Sequence, residues 1–520
     1  MPLPSDPLLS QQWHLINTTP GLLDLNVKGV WTPAQGLAYS GAGIRVVVVD
    51  DGIDYSHPDL APNYDAALDY DFATDTTSAF GLAVDAHGTA VAGIIGADNN
   101  GTGAVGVAYD ASLVGYRVET AISDAWLVSV AEAIHHAAIS ARGDVINFSQ
   151  GISNDPYSQF GSGYLAWRFD GIETSIGEAV DSGRGGLGSI IVKSAGNSRG
   201  GYVGAFDDYD VNADDWVNDT RQIVVAAVDR DGFVSFYSSH GAALLVSGFG
   251  TPGEVVTTDR TGAAGYETGS FTTSFNGTSA AAPMVSGVVA LMLDANGLIG
   301  WRDVQAILAN TARHVGSTPG SGPSGSEFFT WGWNGASTWN GGGLHFSNDY
   351  GFGLVDALAA VRLAESWLLG GGAAQTSANE ILRTLDMLNG TVLVPDGSAA
   401  GTTFTGTVGA DAAVERVTAS ITFSTAYLGD LDVYVISPDG TISTLLQDAA
   451  GGSAFNGTWT FESQAFRGER AAGQWRVRVV DDSTGDLLTV SDVALDVWGR
   501  AGGDDRYVFT NEYSSCAGTG

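Results

Sequence analysis

The chain contains a single cysteine, Cys516, among its 520 residues, so no intramolecular disulfide can stabilise it. Basic residues are also scarce: 22 lysines and arginines stand against 58 aspartates and glutamates, which gives a formal net charge of −36. A surface of that charge repels nucleic acid and anionic membranes and excludes a nucleic-acid-binding function. The acidic excess fits either solubility or carboxylate-lined calcium sites, and composition leaves both readings open.

The sequence also lacks an apolar run of the roughly 18 to 20 residues that a membrane span requires. Its best candidate, residues 285–293, is short and is interrupted by Ser286 and Gly287. The first nine residues have neither the basic patch nor the apolar core of a secretory signal. We therefore expect no membrane span, and export either after removal of a leader or by another route.

Short β-branched segments alternate with helical stretches over residues 5–370. This alternation predicts an α/β domain with a parallel sheet and helices on both faces. The predicted strands are residues 44–49, 112–118, 144–149, 189–193, 222–228 and 242–247. The predicted helices are residues 124–140, 278–296, 301–311 and 353–367.

The pattern changes after residue 378, where short alternating segments are separated by turns such as Pro438-Asp439-Gly440. This pattern is typical of an all-β sandwich. The predicted strands are residues 416–423, 430–437, 458–461, 475–480 and 489–498. We therefore predict domains at residues 1–370 and 371–500, followed by a polar tail at 501–520.

Three segments carry residues that suit nucleophilic catalysis. Asp50 ends an apolar strand, His87 begins a helix of small residues, and Ser279 lies at the start of a long apolar helix. Each residue alone has an ordinary explanation, as a helix cap, a surface group or a turn. Functional side chains in open α/β sheets gather at the carboxyl ends of the strands, where these three can converge. The combination favours a catalytic triad over the three separate explanations.

The chemistry requires this set of groups. A serine hydroxyl is a weak nucleophile until an imidazole takes its proton, and a carboxylate holds that imidazole in the required tautomer. The positive end of a helix stabilises the developing oxyanion. Asn197, which follows another predicted strand, can donate a further hydrogen bond to that oxyanion.

The order Asp, His, Ser and the motifs around these residues resemble the subtilisin family. The second acidic residue, Asp51, narrows the resemblance to kexin and furin, and the second region resembles their P domain. The P-domain motifs are Gly429-Asp430-Leu431, Ser437-Pro438-Asp439-Gly440-Thr441 and Gly473-Gln474-Trp475. The resemblance implies a subtilisin-like sheet followed by a jelly-roll-like sandwich. It also implies a serine endopeptidase with Asp50, His87, Ser279 and the oxyanion residue Asn197.

Convertases of this kind cleave after paired basic residues, because carboxylates line their pockets. The resemblance assigns Asp51 and Asp85 to the penultimate substrate side chain. To the primary pocket it assigns Asp214 with Trp216, and Asn154 with Asp155 beside it. The more distant acidic pocket is lost, since its positions fall near Leu127 and Phe160. We expect a preference for Arg or Lys before the scissile bond, without strict dibasic specificity.

The resemblance also implies bound calcium. One site would use Asp6, Asp59, Asn100 and the carbonyl groups of Ala97, Thr102 and Ala104. Asp71, with Asp69 and Asp75, would form another. Hard oxygen ligands of this kind suit calcium. The loop at residues 98–103 is explained equally well by turn formation alone.

Protein or peptide substrates follow from this reading. No inhibitory propeptide is visible before Ser5, so we expect one that has been removed, or a separate chaperone or inhibitor. The acidic, nearly cysteine-free chain suggests a secreted, extracellular and bacterial protein. Two alternatives remain: a broad-specificity degradative protease, and a non-catalytic calcium-dependent binding protein built on a protease scaffold.

Overall fold

A computed structural model describes residues 2–34, 36–121, 123–151, 166–201, 210–251, 254–336, 343–447 and 454–502. Its first part is built on a seven-stranded sheet in the order β2-β3-β1-β4-β5-β6-β7, in which neighbouring strands are parallel. These strands are β1 Arg45–Asp50, β2 Tyr70–Asp71, β3 Ser112–Arg117, β4 Val145–Phe148, β5 Ile190–Ser194, β6 Ile223–Asp229 and β7 Leu244–Thr251.

Helices cover both faces of this sheet. They are α1 Lys28–Trp31, α2 His87–Gly96, α3 Asp124–Ile139, α4 Ala166–Ser182, α5 Thr278–Ala295, α6 Trp301–Thr311 and α7 Ala357–Ser366. Val46 and Val48 of β1 pack into a core with α2 and α5, whereas Val47 and Val49 pack into a second core with α3. Alternate residues of a strand face opposite sides, so a run of valines suits a strand that is buried on both faces. The predicted architecture is confirmed.

Helix α5 forms the centre of the larger core. Among the described residues it is the one helix with the length and hydropathy to cross a membrane, but 83% of it is buried inside the protein. That burial is typical of the central helix of a globular domain. The consequence for function is that Ser279, in the first turn of α5, has a rigid support.

The second part is a sandwich of two four-stranded antiparallel sheets, β12-β19-β14-β17 and β13-β18-β15-β16. The strands are β12 Ile381–Leu393, β13 Ser398–Val408, β14 Ala413–Thr425, β15 Leu431–Ile436, β16 Ile442–Leu446, β17 Phe455–Ser463, β18 Gly473–Asp481 and β19 Thr489–Arg500. Inward-facing residues such as Trp475, Phe461 and Val435 fill the space between the sheets. The predicted all-β domain is confirmed.

Several strands of the structure are not predicted by the sequence pattern. They are the hairpin β8 Val255–Gly262 and β9 Gly269–Phe275, the short pair β10 Gly332–Trp333 and β11 His345–Phe346, and β2, β12, β13 and β16. The pairing of β12 with β19 shifts register at Asp386/Leu388 and again at Asn389/Val392. Such bulges break the alternation of apolar and polar residues by which a strand is recognised in a sequence.

Buried polar contacts join the two domains. Asn212 donates from Nδ2 to the carbonyl oxygens of Leu445 (2.9 Å) and Glu462 (3.1 Å), and its Oδ1 accepts from the Glu462 amide (2.8 Å). Arg302 in α6 pairs with Glu415 at 2.6 Å, and both residues are almost fully buried. The sandwich therefore packs closely on the segment that leads into Asp214.

Candidate active site

Strand β1 and helix α2 bring Asp50 and His87 together. Asp50 ends the strand and is fully buried, and its Oδ1 accepts from His87 Nδ1 at 2.8 Å. The same oxygen accepts from the Asp51 amide at 2.8 Å, which fixes the carboxylate. The contact between Asp50 and His87 favours the tautomer with its proton on Nδ1, which leaves Nε2 of His87 free to accept a proton.

Asp51, the residue after Asp50, has a different structural role. Asp51 accepts from the backbone amides of His87 (3.1 Å) and Gly88 (2.7 Å), so it caps the start of α2. A carboxylate at a helix N-terminus satisfies amides that have no partner within the helix. Of the two adjacent acids, one therefore orients the imidazole and the other orients the helix that carries it.

These two carboxylates set the charge state of the histidine. Burial by itself lowers the pKa of His87, but the charge and hydrogen bond of Asp50, followed by the charge of Asp51, outweigh it and raise this pKa to about 9. Burial and the charge of Asp50 raise the pKa of Asp51 to about 7. The imidazolium form of His87 is thus stabilised relative to that of a free histidine, so the side chain is the stronger base and becomes neutral only at higher pH.

The hairpin formed by β8 and β9 holds α2 in place. The hydroxyls of Thr257 and Thr258 donate to the carbonyl oxygens of Ala90 (2.8 Å) and Thr89 (2.7 Å). A Cβ at Gly93 would lie 2.1 Å from the Thr258 hydroxyl, so glycine is needed for this close packing. Phe275 at the end of β9 packs against the His87 ring, with 5.4 Å between centroids.

Ser279 faces the same cavity as His87. It lies in the first turn of α5, after Gly277, whose positive φ of 89° turns the chain into the helix. Its hydroxyl donates to the carbonyl oxygen of Ser149 at 3.1 Å. Rotation about χ1 is needed to redirect that hydroxyl towards the imidazole, and active-site hydrogen bonds commonly tighten only when substrate binds.

Asn197 lines the same cavity as Ser279. Its side-chain oxygen accepts from the amide of Thr278 (2.9 Å) and from the Thr278 hydroxyl (3.0 Å). These contacts fix the amide group and leave its Nδ2 without an acceptor among the described residues. The side chain thus offers a fixed donor beside the serine.

The cavity encloses about 280 Å³ and is lined by His87 and Ser279, by residues at the ends of β4 and β5, and by Asp214. Asp214 is fully buried, and its Oδ1 accepts from the amides of Trp216 (3.0 Å) and Val217 (3.2 Å). Trp216 packs between Trp126 and Phe148 in the core behind the pocket. Asn154, Asp155 and Phe160 lie outside the described residues.

Comparison with known proteins identifies the family. The model of the subtilase family matches residues 41–353, and that of the proprotein convertase P-domain matches residues 414–497. The chain belongs to the subtilase family. Neuroendocrine convertase 2 of Homo sapiens is 31% identical over 502 residues, which cover 91% of this chain and 71% of that protein. Furin of Bos taurus is 31% identical over 513 residues, 96% of this chain and 58% of that protein.

The fold has a solved counterpart in the serine protease of Aeromonas sobria, crystallised in a complex with the chaperone ORF2. The two structures agree with a TM-score of 0.78 at 23% identity, over 96% of each chain. The family matches and the relatives at 31% identity make this subtilase a subtilisin-like serine endopeptidase of the proprotein convertase type, with a catalytic domain followed by a P domain.

Sequence reasoning missed one residue of the subtilase's pocket. Lys193 in β5 lines the cavity that contains Ser279 and Asp214, and it is almost fully buried. Its Nζ donates to the carbonyl oxygens of Gln150 (2.6 Å) and Ser194 (3.1 Å). Burial lowers its pKa to about 8, although the charge of Asp214 opposes this shift. The sequence signal for this residue is a lysine within a predicted strand that is otherwise mostly apolar.

Two predicted acidic site residues share one arginine. Arg117, at the end of β3, contacts Asp71 at 3.1 Å and Asp85 at 3.3 Å, and all three residues are buried. An arginine between two carboxylates opposes a cation at Asp71 and engages Asp85, which is therefore not free for a substrate side chain. Asp69 and Asp75 accept instead from the hydroxyls of Tyr64 and Tyr70. Leu127, at the position of the lost distant pocket, is buried in α3.

The predicted calcium loop is a compact oxygen-rich turn. Asp59 is fully buried and accepts from the Ala104 amide (2.9 Å) and the Thr102 hydroxyl (3.2 Å), with Asn100 Nδ2 at 3.4 Å. Asp6 accepts from the Gly101 amide at 2.9 Å. Its second oxygen, Oδ2, is buried without a hydrogen-bond partner among the described residues.

That buried oxygen bears on whether the loop suits a metal ion. An unpaired buried carboxylate oxygen is costly unless a cation or a donor meets it. The carbonyl oxygen of Ala97 accepts from the Gly106 amide (2.9 Å) and keeps a second lone pair. Oδ2 of Asp6 and the carbonyl oxygen of Ala97 are therefore available to a calcium ion at this loop.

Proposed function

We propose that this subtilase hydrolyses peptide bonds through Asp50, His87 and Ser279, with Asn197 in the oxyanion hole. The observation that carries the proposal is the 2.8 Å contact between His87 and the buried Asp50, in a cavity that Ser279 and Asn197 also line. This is the arrangement that activates a serine hydroxyl.

The reaction begins when Ser279 turns its hydroxyl from Ser149 towards His87. Nε2 takes the proton as Oγ attacks the carbonyl carbon of the scissile bond. His87 then gives that proton to the leaving amine, and the acyl group remains on Ser279. A water molecule then gives a proton to the same imidazole and attacks the acyl carbon. The imidazole returns that proton to Oγ of Ser279 as the acid product leaves. Asp50 keeps the proton on Nδ1 throughout.

The negative charge of the tetrahedral intermediate needs donors at the serine. Nδ2 of Asn197 and the backbone amide of Ser279, at the positive end of α5, would supply them. The contact of Asn197 with Thr278 supports this assignment, since it holds the amide in one orientation before substrate binds. Such pre-organised donors require no rearrangement in the transition state.

We further propose a preference for Arg or Lys before the scissile bond. Asp214 at the end of the cavity supports it, and Asp51 near His87 supplies a second negative charge for the neighbouring substrate side chain. Lys193 works against this preference, because a fixed cation in the pocket repels a cationic side chain. We therefore expect relaxed selectivity rather than strict processing after paired basic residues.

A calcium ion at Asp6, Asp59, Asn100 and nearby carbonyl groups would link the N-terminal segment to the loop after α2. The buried, unpaired Oδ2 of Asp6 supports this site. A second calcium site at Asp71 is disfavoured, because Arg117 already pairs with that carboxylate. A chelator should lower the melting temperature of the wild-type protein. The Asp6→Asn variant should respond less, and equal responses would contradict the site.

An extracellular or secretory location and a folding partner complete the proposal. The related serine protease of Aeromonas sobria forms a complex with a chaperone, and its fold covers 96% of this chain. We propose that a propeptide or a separate chaperone acts similarly here. Co-expression with such a chaperone should raise the yield of active enzyme.

Labelling with a fluorophosphonate probe tests the catalytic role directly. We expect the wild-type protein to be labelled at Ser279, and the Ser279→Ala and His87→Ala variants to remain unlabelled. A folded wild-type protein that is not labelled would support a non-catalytic binding protein instead. A peptide-library profile without enrichment of Arg or Lys would favour a broad degradative protease.

A further inference from the structure

Three carboxylates meet at one end of the P domain. Asp430 precedes β15, Asp481 ends β18, and Asp486 lies between β18 and β19. Each offers one oxygen, and these oxygens lie within 4.8 Å of one another. The backbone brings them together because Leu431, next to Asp430, is paired with Asp481 in the sheet.

Asp481 is the buried member of this cluster. Its side chain is 2% exposed, and its Oδ1 is buried without a hydrogen-bond partner among the described residues. A carboxylate oxygen in that position is unfavourable unless a cation meets it. This atom therefore points to a ligand that carries positive charge.

Positive side chains do not supply that charge. No lysine, arginine or histidine of the described residues lies within ion-pair distance of Asp430, Asp481 or Asp486. Two further carboxylates, Asp396 and Asp482, add negative charge nearby. Burial, then the charge of Asp486, and then those of Asp396, Asp430 and Asp482 raise the pKa of Asp481 to about 6. Without a cation, the three carboxylates repel one another.

We propose that Asp430, Asp481 and Asp486 bind a calcium ion. The donors are all hard carboxylate oxygens, without the histidine or cysteine that zinc prefers. Asp430 and Asp486 are half-buried, which leaves room for the water molecules that complete a calcium shell. The site lies in the P domain and is separate from the loop at Asp6 and Asp59.

The ion would connect the two sheets of the sandwich. Asp430 and Asp481 belong to the sheet that contains β15 and β18, whereas Asp486 leads into β19 of the other sheet. Asp486 also accepts from the hydroxyl of Thr425 in β14 at 3.1 Å. Binding would therefore stabilise the P domain, and it does not depend on the proposed peptidase activity.

Calcium binding to the full chain tests the site. Metal-free protein is titrated with CaCl₂, and the number of bound ions is measured by calorimetry. Asp481→Asn should bind one calcium fewer than the wild-type protein. Asp492→Asn, which changes an exposed carboxylate on β19, should bind the wild-type number. An unchanged number for Asp481→Asn would overturn the proposal.

Thermal unfolding provides the second readout. In chelator, Asp481→Asn should melt no lower than the wild-type protein, because the substitution removes a repulsive charge. In millimolar calcium the wild-type protein should gain more in melting temperature than the variant. Equal gains would overturn the proposal, and an equal gain of the wild-type protein in magnesium would overturn the choice of calcium.

If Asp481→Asn does not fold, Asp430→Asn is measured in the same way, since this residue is half-buried and the change is milder. A Ser279→Ala chain serves as the background for one set of titrations. In that background Asp481→Asn should still bind one calcium fewer. Because the proposed nucleophile is already absent, this result separates the calcium site from the peptidase proposal.

Discussion

Nζ of Lys193 lies 4.5 Å from the centre of the Trp216 ring, and it is held there by the carbonyl oxygens of Gln150 and Ser194. The contact fixes a cation in the same pocket as Asp214. A cation over an aromatic face is stabilised by the ring as well as by its hydrogen bonds. The pocket therefore carries both a carboxylate and an ammonium group, which bear on selectivity in opposite directions.

Replacing this lysine should strengthen the preference for basic substrates. In Lys193→Met, Asp214 is no longer opposed, and kcat/KM for a peptide with Arg before the scissile bond should rise about tenfold relative to the matched Leu peptide. A tenfold change corresponds to about 1.4 kcal/mol. Lys193→Arg keeps the charge and serves as the control, so its ratio should stay near that of the wild-type enzyme.

The same ratio should depend on pH in the wild-type enzyme. Because the pKa of Lys193 is about 8, this cation is lost as the pH rises through that value. The preference for Arg over Leu should therefore increase between pH 7 and pH 9, and this increase should be absent in Lys193→Met. Taking a ratio of two substrates cancels the titration of His87. A flat ratio in the wild-type enzyme would contradict this role of Lys193.

The pH dependence of activity reports on the pair of acids at His87. The imidazole must be neutral to accept a proton, and its pKa is raised to about 9. We expect kcat/KM to rise with pH, with a midpoint well above the ordinary value of about 6.5. Asp51→Asn removes one negative charge, disfavours the imidazolium and moves that midpoint to lower pH.

Asp85→Asn is the matched control for this shift, since Asp85 pairs with Arg117 and not with His87. Its pH midpoint should equal that of the wild-type enzyme. If Asp51→Asn leaves the midpoint unchanged, Asp51 acts only as the cap of α2.

Asn197 should matter for kcat more than for KM. Asn197→Ala removes a donor to the oxyanion, and the loss of one such donor costs about 10²- to 10³-fold in kcat. Thr278→Ser keeps the hydroxyl that holds Asn197 in place and should retain most of the activity. Steady-state kinetics on one peptide substrate measures both variants, and a change confined to KM would argue against the oxyanion role.

Glu462 makes the interface between the domains sensitive to pH. Burial, and then the charge of Asp219, raise its pKa to about 7, while Thr220 donates two hydrogen bonds to it. In the unfolded chain a glutamate loses its proton near pH 4.3. The folded protein therefore holds a proton that the unfolded chain has released, and stability falls as the pH rises from about 4 to 7.

Glu462→Gln should remove this dependence, because the amide can still accept from Thr220 and carries no charge. We expect the variant to melt above the wild-type protein at pH 8, and the difference to vanish near pH 4. Glu254→Gln, an exposed glutamate of the catalytic domain, is the control. Calorimetric scans between pH 4 and pH 8 give the melting temperature of each protein. If the melting temperatures of Glu462→Gln and the wild-type protein change in parallel with pH, this role of Glu462 is refuted.

Much of this molecule follows from local sequence. The valine run of β1 dictates a strand buried on both faces, and the small apolar residues after Ser279 dictate a buried helix. Because strand ends and helix starts meet at one edge of such a sheet, the candidate triad was predictable from its motifs. The P domain was recognisable from its turns, although its bulged strand β12 was not.

The remaining properties depend on contacts between residues that are distant in sequence. The sequence marks Asp51, Asp71 and Asp85 as acidic, but only the tertiary structure decides that Asp51 caps α2 and that Arg117 engages the other two. It also decides that Lys193 faces the pocket and that Asp481 is buried beside Asp486. The physical reason is that burial and partner charge determine what an ionisable group does, and both are set by chain packing rather than by neighbours along the chain.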